Sequence, residues 1–351
     1  MSAYRQVIGI GGIGTGLLFH SDVESTLGRS ESRLMALSGA KDYCKLQIIF
    51  YYPAVLLKGR ADVIPLGFVG RDAFGEKLVG EMKGQGMDVS HVETSGTLPT
   101  MLSVCIQYPD RDGGNITASN SACGLVTPDY VRAALGGLPV GAGSVAVAAP
   151  EVSVEARVAF LQEAKRKGAF CVLSVAESEA EAFLSSGAFA DCDLLAVNEG
   201  ETSALLGESA APEETAVRLY EKLSAQCPGL KLIVTCGKKG GYTVQNGHPE
   251  FIPALPAETR NTTGAGDAFL GGTLSGLVLG LPFQKGSSDP AFGASPLASA
   301  AELGALCAGM AVEDEDSIAL GVTRESILAR CRGLGCAGPL LSALQEAANN
   351  V

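Results

Sequence analysis

Positive charge is in short supply in this 351-residue sequence: 26 Lys and Arg face 38 Asp and Glu, a formal net charge of −12. A domain-wide basic footprint for DNA or RNA is excluded by that balance, and any phosphate the protein handles must find its positive potential locally. Histidine is nearly absent, with His20, His91 and His248 the only three. The ten cysteines include no C-x-x-C pair, so neither a zinc site nor, at this length, a disulfide scaffold is expected. Scattered thiols among apolar neighbours read as reduced core residues. Long apolar runs are missing too. Leu46 to Leu57 is interrupted by Gln47 and Pro53 and is too short to cross a bilayer. Residues 1–19 lack a compact apolar stretch with a cleavage site, so no signal peptide is expected. A cytoplasmic protein with no nucleic-acid or membrane partner follows as the expectation. The sequence also has no Walker A pattern, internal repeat or long linker.

What is present is the composition of a folded chain, with 46% hydrophobic and 18% charged residues. Its length allows one large α/β unit or two modest domains. Gly numbers 45, well above the usual ~7%, and gathers in short runs that mark tight turns. Apolar strand patterns occur at Val7–Ile10, Val63–Val69, Ser144–Ala148, Phe170–Val175, Leu194–Val197 and Leu232–Thr235. Pro65 argues against a fully paired position in the second of these. Helical patterns lie at Asp72–Gly84, Val154–Lys167, Glu199–Leu206 and Glu213–Gln226. Strands alternating with helices of this size predict a mostly parallel sheet with helices on both faces. Between Val89 and Ala122 the pattern changes. Thr100, Leu102, Val104, Ile106 and Tyr108 alternate toward a turn at Pro109–Gly114, which predicts a half-exposed antiparallel hairpin that projects as a lid. Pro282–Ala298 reads as a Gly-, Ser- and Pro-rich loop between two helices.

Two glycine motifs carry chemistry. Gly9-Ile10-Gly11-Gly12-Ile13-Gly14 matches the G-x-G-x-x-G dinucleotide fingerprint, which has force only if a helix follows it directly. The alternative is a strand ending in a flexible glycine turn. Arg260-Asn261-Thr262-Thr263-Gly264-Ala265-Gly266-Asp267-Ala268-Phe269 is more specific. Small residues admit a ligand close to the backbone, and the free N–H groups at a helix start attract anions. An Asp in the same turn can take a proton from a hydroxyl aimed at a bound phosphate. An Asp N-cap on an ordinary turn would explain the Gly and Asp but not the whole run.

Here the chain resembles the PfkB/ribokinase family of carbohydrate and nucleoside kinases. The run Asn261–Phe269 is similar to the family's D-T-x-G-A-G-D-x-F signature, and Gly67–Gly75 to its G-x-V-G-x-D-x-F-G segment. Asn198-Glu199-Gly200-Glu201 resembles its N-x-x-E motif, and Val234–Gly240 its V-T-x-G-x-x-G nucleotide segment. Four motifs in the family's order imply a ribokinase-like three-layer α/β/α sandwich, with a mostly parallel central sheet and a small β lid. They also imply one kinase domain over 1–351 whose lid comes from about 15–45 and 89–122. The resemblance gives Asp267 as general base, with the Gly264, Ala265 and Gly266 amides as the hole for the transferring phosphoryl group. Thr235, Gly237, Lys238 and Gly240 would line the ATP phosphates, and Asn198 and Glu201 would hold a hydrated Mg²⁺.

The acceptor half departs from the family. The region after the first strand, where an Asp is usual, reads Gly11-Gly12-Ile13-Gly14-Thr15-Gly16, and the usual G-G-x-x-x-N-x-A segment is replaced by Lys45–Ala54. Lys45–Tyr52 reads as core or as a pocket wall. Asn261 stands where the family usually has an Asp that helps hold a monovalent cation, and Ser174-Val175-Ala176 where D-x-N is common. The first expectation is ATP-dependent phosphorylation of an alcohol on a sugar or nucleoside-like small molecule. The second is a catalytically silent nucleotide- or partner-binding protein on the same fold. An exposed lid edge would suit pairing in a homodimer.

Overall fold

The computed structural model of the chain describes residues 4–110, 113–286, 297–335 and 338–349. Part of the Pro282–Ala298 segment and part of the Pro109–Gly114 turn lie outside the described residues. The strands in chain order are β1 (Gln6–Ile10), β2 (Gly14–His20), β3 (Ala36–Leu37), β4 (Asp42–Tyr43), β5 (Asp62–Gly70), β6 (Val92–Ser95), β7 (Met101–Gln107), β8 (Gly113–Thr117), β9 (Ser144–Ala148), β10 (Phe170–Ser174), β11 (Leu194–Asn198), β12 (Lys231–Thr235), β13 (Gly241–Gln245) and β14 (His248–Ile252). The helices are α1 (Lys45–Leu56), α2 (Ala73–Gly84), α3 (Pro128–Gly137), α4 (Val154–Arg166), α5 (Ala180–Ser186), α6 (Glu199–Leu206), α7 (Pro212–Ser224), α8 (Ala265–Val278), α9 (Ala300–Ala311), α10 (Arg324–Gly333) and α11 (Pro339–Asn349).

Among the described residues the large sheet has nine strands in the order β14-β13-β12-β11-β10-β9-β1-β5-β6. It is parallel from β12 to β6 and ends in the antiparallel β13–β14 hairpin. Side chains alternate between the two faces of a strand, and the apolar runs use both. Val7, Val145, Val147 and Leu194 join one core cluster; Ile8, Ala146, Ala148 and Leu195 join the other. Helices α1, α8 and α9 cover the first face, and α3, α4 and α7 the second. The result is the three-layer α/β/α sandwich with a mostly parallel sheet that the alternation predicts.

Pro65 is accommodated because β5 meets β6 only from Gly67 onward, so at Pro65 it has a strand neighbour on the β1 side alone. The Gly9–Gly14 fingerprint resolves differently. Gly14 opens strand β2, not a helix, so no helix N-terminus stands there for a pyrophosphate and the dinucleotide reading is excluded.

The Lys45–Leu56 segment is a helix buried on every side. Leu46 through Ala54 are all buried, so no amphipathic stripe announces it. It packs against α8, and α8 packs against α9, at spacings only small residues permit. A Cβ on Gly272 would stand 2.9 Å from Gly304 Cα and 2.8 Å from Cys307 Sγ, and one on Gly271 would collide with the Ile49 carbonyl. This close helix trio fixes the start of α8 relative to the sheet.

The second sheet runs β3-β2-β7-β8, with β4 also on β2. The β7–β8 hairpin is antiparallel, from Ser103 opposite Thr117 to Gln107 opposite Gly113, and β8 is exposed along its length. Val92–Ser95, within the same 89–122 segment, instead pairs with β5 in the large sheet.

Candidate active site

The C-terminal ends of β11 and β12 finish in register, Asn198 opposite Thr235, and the first turn of α8 lies beside them. Gly266 is the contact, because a Cβ there would stand 3.5 Å from Thr235 Oγ1. Around these ends opens a cleft of about 950 Å³, with Lys45, Asn198, Glu201, Thr235 and Asp267 in its walls. It brings together all of the residues singled out in the sequence: Asn198, Glu201, Thr235, Gly237, Lys238, Gly240, Gly264, Ala265, Gly266 and Asp267.

Gly264 caps α8 at φ 80°, in the left-handed region, and a Cβ there would collide with the Ser317 carbonyl. Only glycine makes that turn without strain. The first N–H groups of a helix have no intrahelical acceptor, and those of this turn face the cleft end of α8. Ala265 N–H leans back to the Thr262 carbonyl at 3.3 Å, a long bond that an anion would outcompete. Asn261, on the approach to the turn, accepts from Thr263 N–H at 2.9 Å and donates to the Glu315 carbonyl at 2.8 Å. Its amide thus ties the signature loop to the segment after α9.

Asp267 sits in the first turn of α8. Burial raises its pKa to about 6; Lys45 draws it down, while Glu201 and Asp42 push it up. Lys45, the first residue of α1, places Nζ 3.3 Å from Glu201 Oε1. Its pKa is lifted by Asp267, Glu201 and Glu151 against the opposing effect of burial. Glu151 follows β9, and its Oε2 accepts the Lys45 backbone N–H at 3.1 Å. Burial raises Glu151 to about 7, offset by the Cys44 thiol and Lys45. Sequence reading left Lys45 in a stretch open to core or pocket wall, of which Lys45 lines the cleft, and it did not single out Glu151. The one signal for Lys45 was an isolated cation ahead of an apolar run, and Glu151 gave none beyond its place at a strand end.

Asn198 and Glu201 first serve as a capping box on α6. Glu201 N–H donates to Asn198 Oδ1 and Asn198 N–H to Glu201 Oε2, both at 2.9 Å. With one Glu201 oxygen in the cap and the other facing Lys45, the pair suits a hydrated ion reached through water more than a fully dehydrated one. Mg²⁺, which keeps several waters and takes few protein ligands, fits that donor set. Beyond β12, Gly237–Lys239 forms a tight turn, with Gly240 at φ 101°. Lys239 reaches Glu199 at 3.3 Å, while Lys238 stands exposed on the cleft wall. The far wall is apolar, from Ile252, Leu255, Ala305 and Ala308, and suits a flat base.

A mostly parallel sheet with a glycine-capped helix start and a buried Asp at its C-terminal edge makes a site suited to a bound anion. A ribokinase from Giardia lamblia superposes with a TM-score of 0.76 at 19% identity, covering 95% of this chain and 99% of that one. A ribokinase from Arabidopsis thaliana, complexed with ribose and ATP, superposes with a TM-score of 0.71 at 19% identity, covering 93% and 98%. Both likenesses establish the ribokinase fold. In sequence, a ribokinase of Schizosaccharomyces pombe is 27% identical over 222 residues, 62% of this chain and 68% of the relative. Residues 54–323 match the pfkB family of carbohydrate kinases, and the chain belongs to that family. It is accordingly a carbohydrate kinase, a phosphotransferase with an alcohol group as acceptor.

Proposed function

We propose that the protein transfers the γ-phosphoryl group of ATP to a hydroxyl of a sugar or sugar-like small molecule, with Asp267 as general base. The observation that carries this is the placement of Asp267 in the same helical turn as the Gly264–Gly266 amides, inside a cleft that also holds Asn198, Glu201 and Thr235. Similarity to ribokinases, one of them solved with ribose and ATP, supports a sugar and this nucleotide.

In this reading the nucleotide lies along the cleft, its base against Leu255 and Ala308 and its phosphates over Thr235, Gly237, Lys238 and Gly240. Asn198 and Glu201 would hold a hydrated Mg²⁺, which would supply positive charge toward the phosphates. The acceptor hydroxyl meets Asp267, which takes its proton as the oxygen attacks in line. The amides of Gly264, Ala265 and Gly266 receive the charge of the transferring group, where preorganised donors have their largest effect. The chain works as one kinase unit, and the small sheet of β2, β7 and β8 serves as a lid whose closure excludes water.

The test is ADP release from MgATP, followed with a coupled assay across neutral sugars, sugar acids and nucleosides, with Asp267→Asn alongside. Release with one substrate class, lost in the variant, is the expected result. Nucleotide binding without release on every acceptor would instead favour the silent binding protein.

A further inference from the structure

We propose that Ser317 is a positioning residue that ties the anion hole at the start of α8 to the root of the small sheet, so that the seating of that sheet sets the geometry of the hole. This rests on the phosphotransfer reading above. Residues 312–317, which follow α9, run between the two and touch both.

On one side stands the signature loop. Arg260 N–H donates to the Val312 carbonyl at 2.7 Å, and Asn261 Nδ2 donates to the Glu315 carbonyl at 2.8 Å. The Ser317 carbonyl lies against Gly264, where a Cβ would stand only 2.4 Å from it. It therefore borders the residue whose left-handed φ opens α8. With no side chain between them, a shift of that carbonyl passes directly to the turn.

On the other side stands the root of the small sheet. Ser317 N–H donates to the Lys41 carbonyl at 3.0 Å, and Lys41 N–H donates to Asp316 Oδ1 at 2.7 Å. Ser317 Oγ accepts the Tyr43 N–H at 3.0 Å, and its hydroxyl bonds the Asp42 carboxylate. Asp42 and Tyr43 form β4, whose register on β2 sets Gly16 opposite Asp42 and Thr15 opposite Tyr43. Thr15 Oγ1 adds a hydrogen bond to the Asp42 carbonyl at 2.9 Å. Since β2 pairs along its length with β7, movement of the small sheet is carried to Ser317 through β4.

The residue type suits the task. Ser317 is buried, and a hydroxyl accepts from a backbone N–H and donates to a carboxylate at once. Donors that stabilise a transferring group act through fixed placement, so a small displacement of the hole costs rate. Coupling of this kind is reciprocal. Filling the hole should hold the small sheet, just as the small sheet holds the hole.

Calorimetry on the full chain would measure MgADP binding with and without tetrafluoroaluminate, an anion that mimics a phosphoryl group in transfer. The wild type, Ser317→Ala, Thr15→Val and the double variant would be compared, with hydrogen exchange of Met101–Gln107 followed in both states. In the wild type the anion should tighten MgADP and slow exchange in β7. Ser317→Ala should bind MgADP within about twofold, yet lose about tenfold or more of the tightening, and with it the slowing in β7. Thr15→Val should lose part of the tightening, and adding it to Ser317→Ala should cost nothing further.

A residue that only supports the fold would weaken MgADP equally with and without the anion, and that result would overturn the proposal. So would full tightening in Ser317→Ala, or independent losses in the double variant. Should Ser317→Ala not fold, Thr15→Val decides: reduced tightening with MgADP binding kept supports the coupling, and unchanged tightening overturns it. A wild type that binds MgADP but gains nothing from the anion would sink the phosphotransfer reading and this proposal with it. Tightening that survives in Ser317→Ala sinks the proposal alone.

Discussion

Lys45 Nζ lies 3.3 Å from Glu201 Oε1, so the first residue of the buried helix α1 sets a cation beside the residues at the cleft end of β11. The same ammonium lowers the pKa of Asp267 and of Glu151. A chain of net charge −12 thus sets a cation among Asp267, Glu201 and Glu151, which would otherwise repel both each other and a nucleotide.

The pH dependence follows from Asp267. A general base must be ionised, and burial holds this one at about 6. The ratio kcat/KM should therefore fall about tenfold per pH unit below that value and level off above it. The stability sign is opposite. A carboxyl whose pKa is raised on folding disfavours the folded state when ionised, and that penalty fades as pH drops through 6 toward the unfolded value. Asp267→Asn should lose turnover, keep its ATP affinity, and gain up to about 2 kcal/mol at pH 8, with the gain shrinking at pH 5. Denaturant titrations at the two pH values check this, and a variant retaining most of its rate would refute the base assignment.

Removing the ammonium should move that limb. Without the cation, Asp267 loses the interaction that draws its pKa down, so Lys45→Met should shift the acid limb upward by about one pH unit. Lys45→Arg, which keeps the charge, should shift it much less. Initial rates from pH 5 to 8.5 separate the two.

Gly264→Ala tests the anion hole through backbone geometry. The left-handed φ of 80° and the Ser317 carbonyl both oppose a Cβ. The expected cost is about 1–3 kcal/mol of stability. Displaced amides should lower kcat by about 10²–10³. A thermal melt and a rate measured on the same preparation would show whether the two losses occur together.

Glu201→Gln leaves the capping box of α6 intact, because glutamine serves at that position as well as glutamate. Its melting temperature should change little, while the Mg²⁺ concentration for half-maximal rate rises about tenfold or more. Asn198→Ala should do both, since it also loses a cap of about 1 kcal/mol. A magnesium titration of each variant beside its melting curve distinguishes them.

Local pattern made much of this protein readable. Ser144–Ala148 and Glu199–Leu206 were placed at their observed bounds, because an apolar β-branched run and a capped helical period are properties of adjacent residues. Asn198, Thr235 and Asp267 stood out because their runs resemble motifs of the PfkB/ribokinase family in order, and all three line the cleft. The same reasoning failed at α1. A helix buried on all sides has no stripe, and Pro53 inside it reads as a break.

By itself, then, the sequence determined the alternation of strands and helices, the sandwich they form, and the turn that presents Asp267. Tertiary structure alone decided that Gly14 starts a strand, that Lys45 faces Glu201 across 156 positions, and that Glu151 fills the space beside Gly12. Periodicity and capping are encoded within about a dozen residues. The pairing of a cation with a carboxylate through space depends on how α1, α8 and the sheet pack, and that packing comes from burial spread over the whole chain.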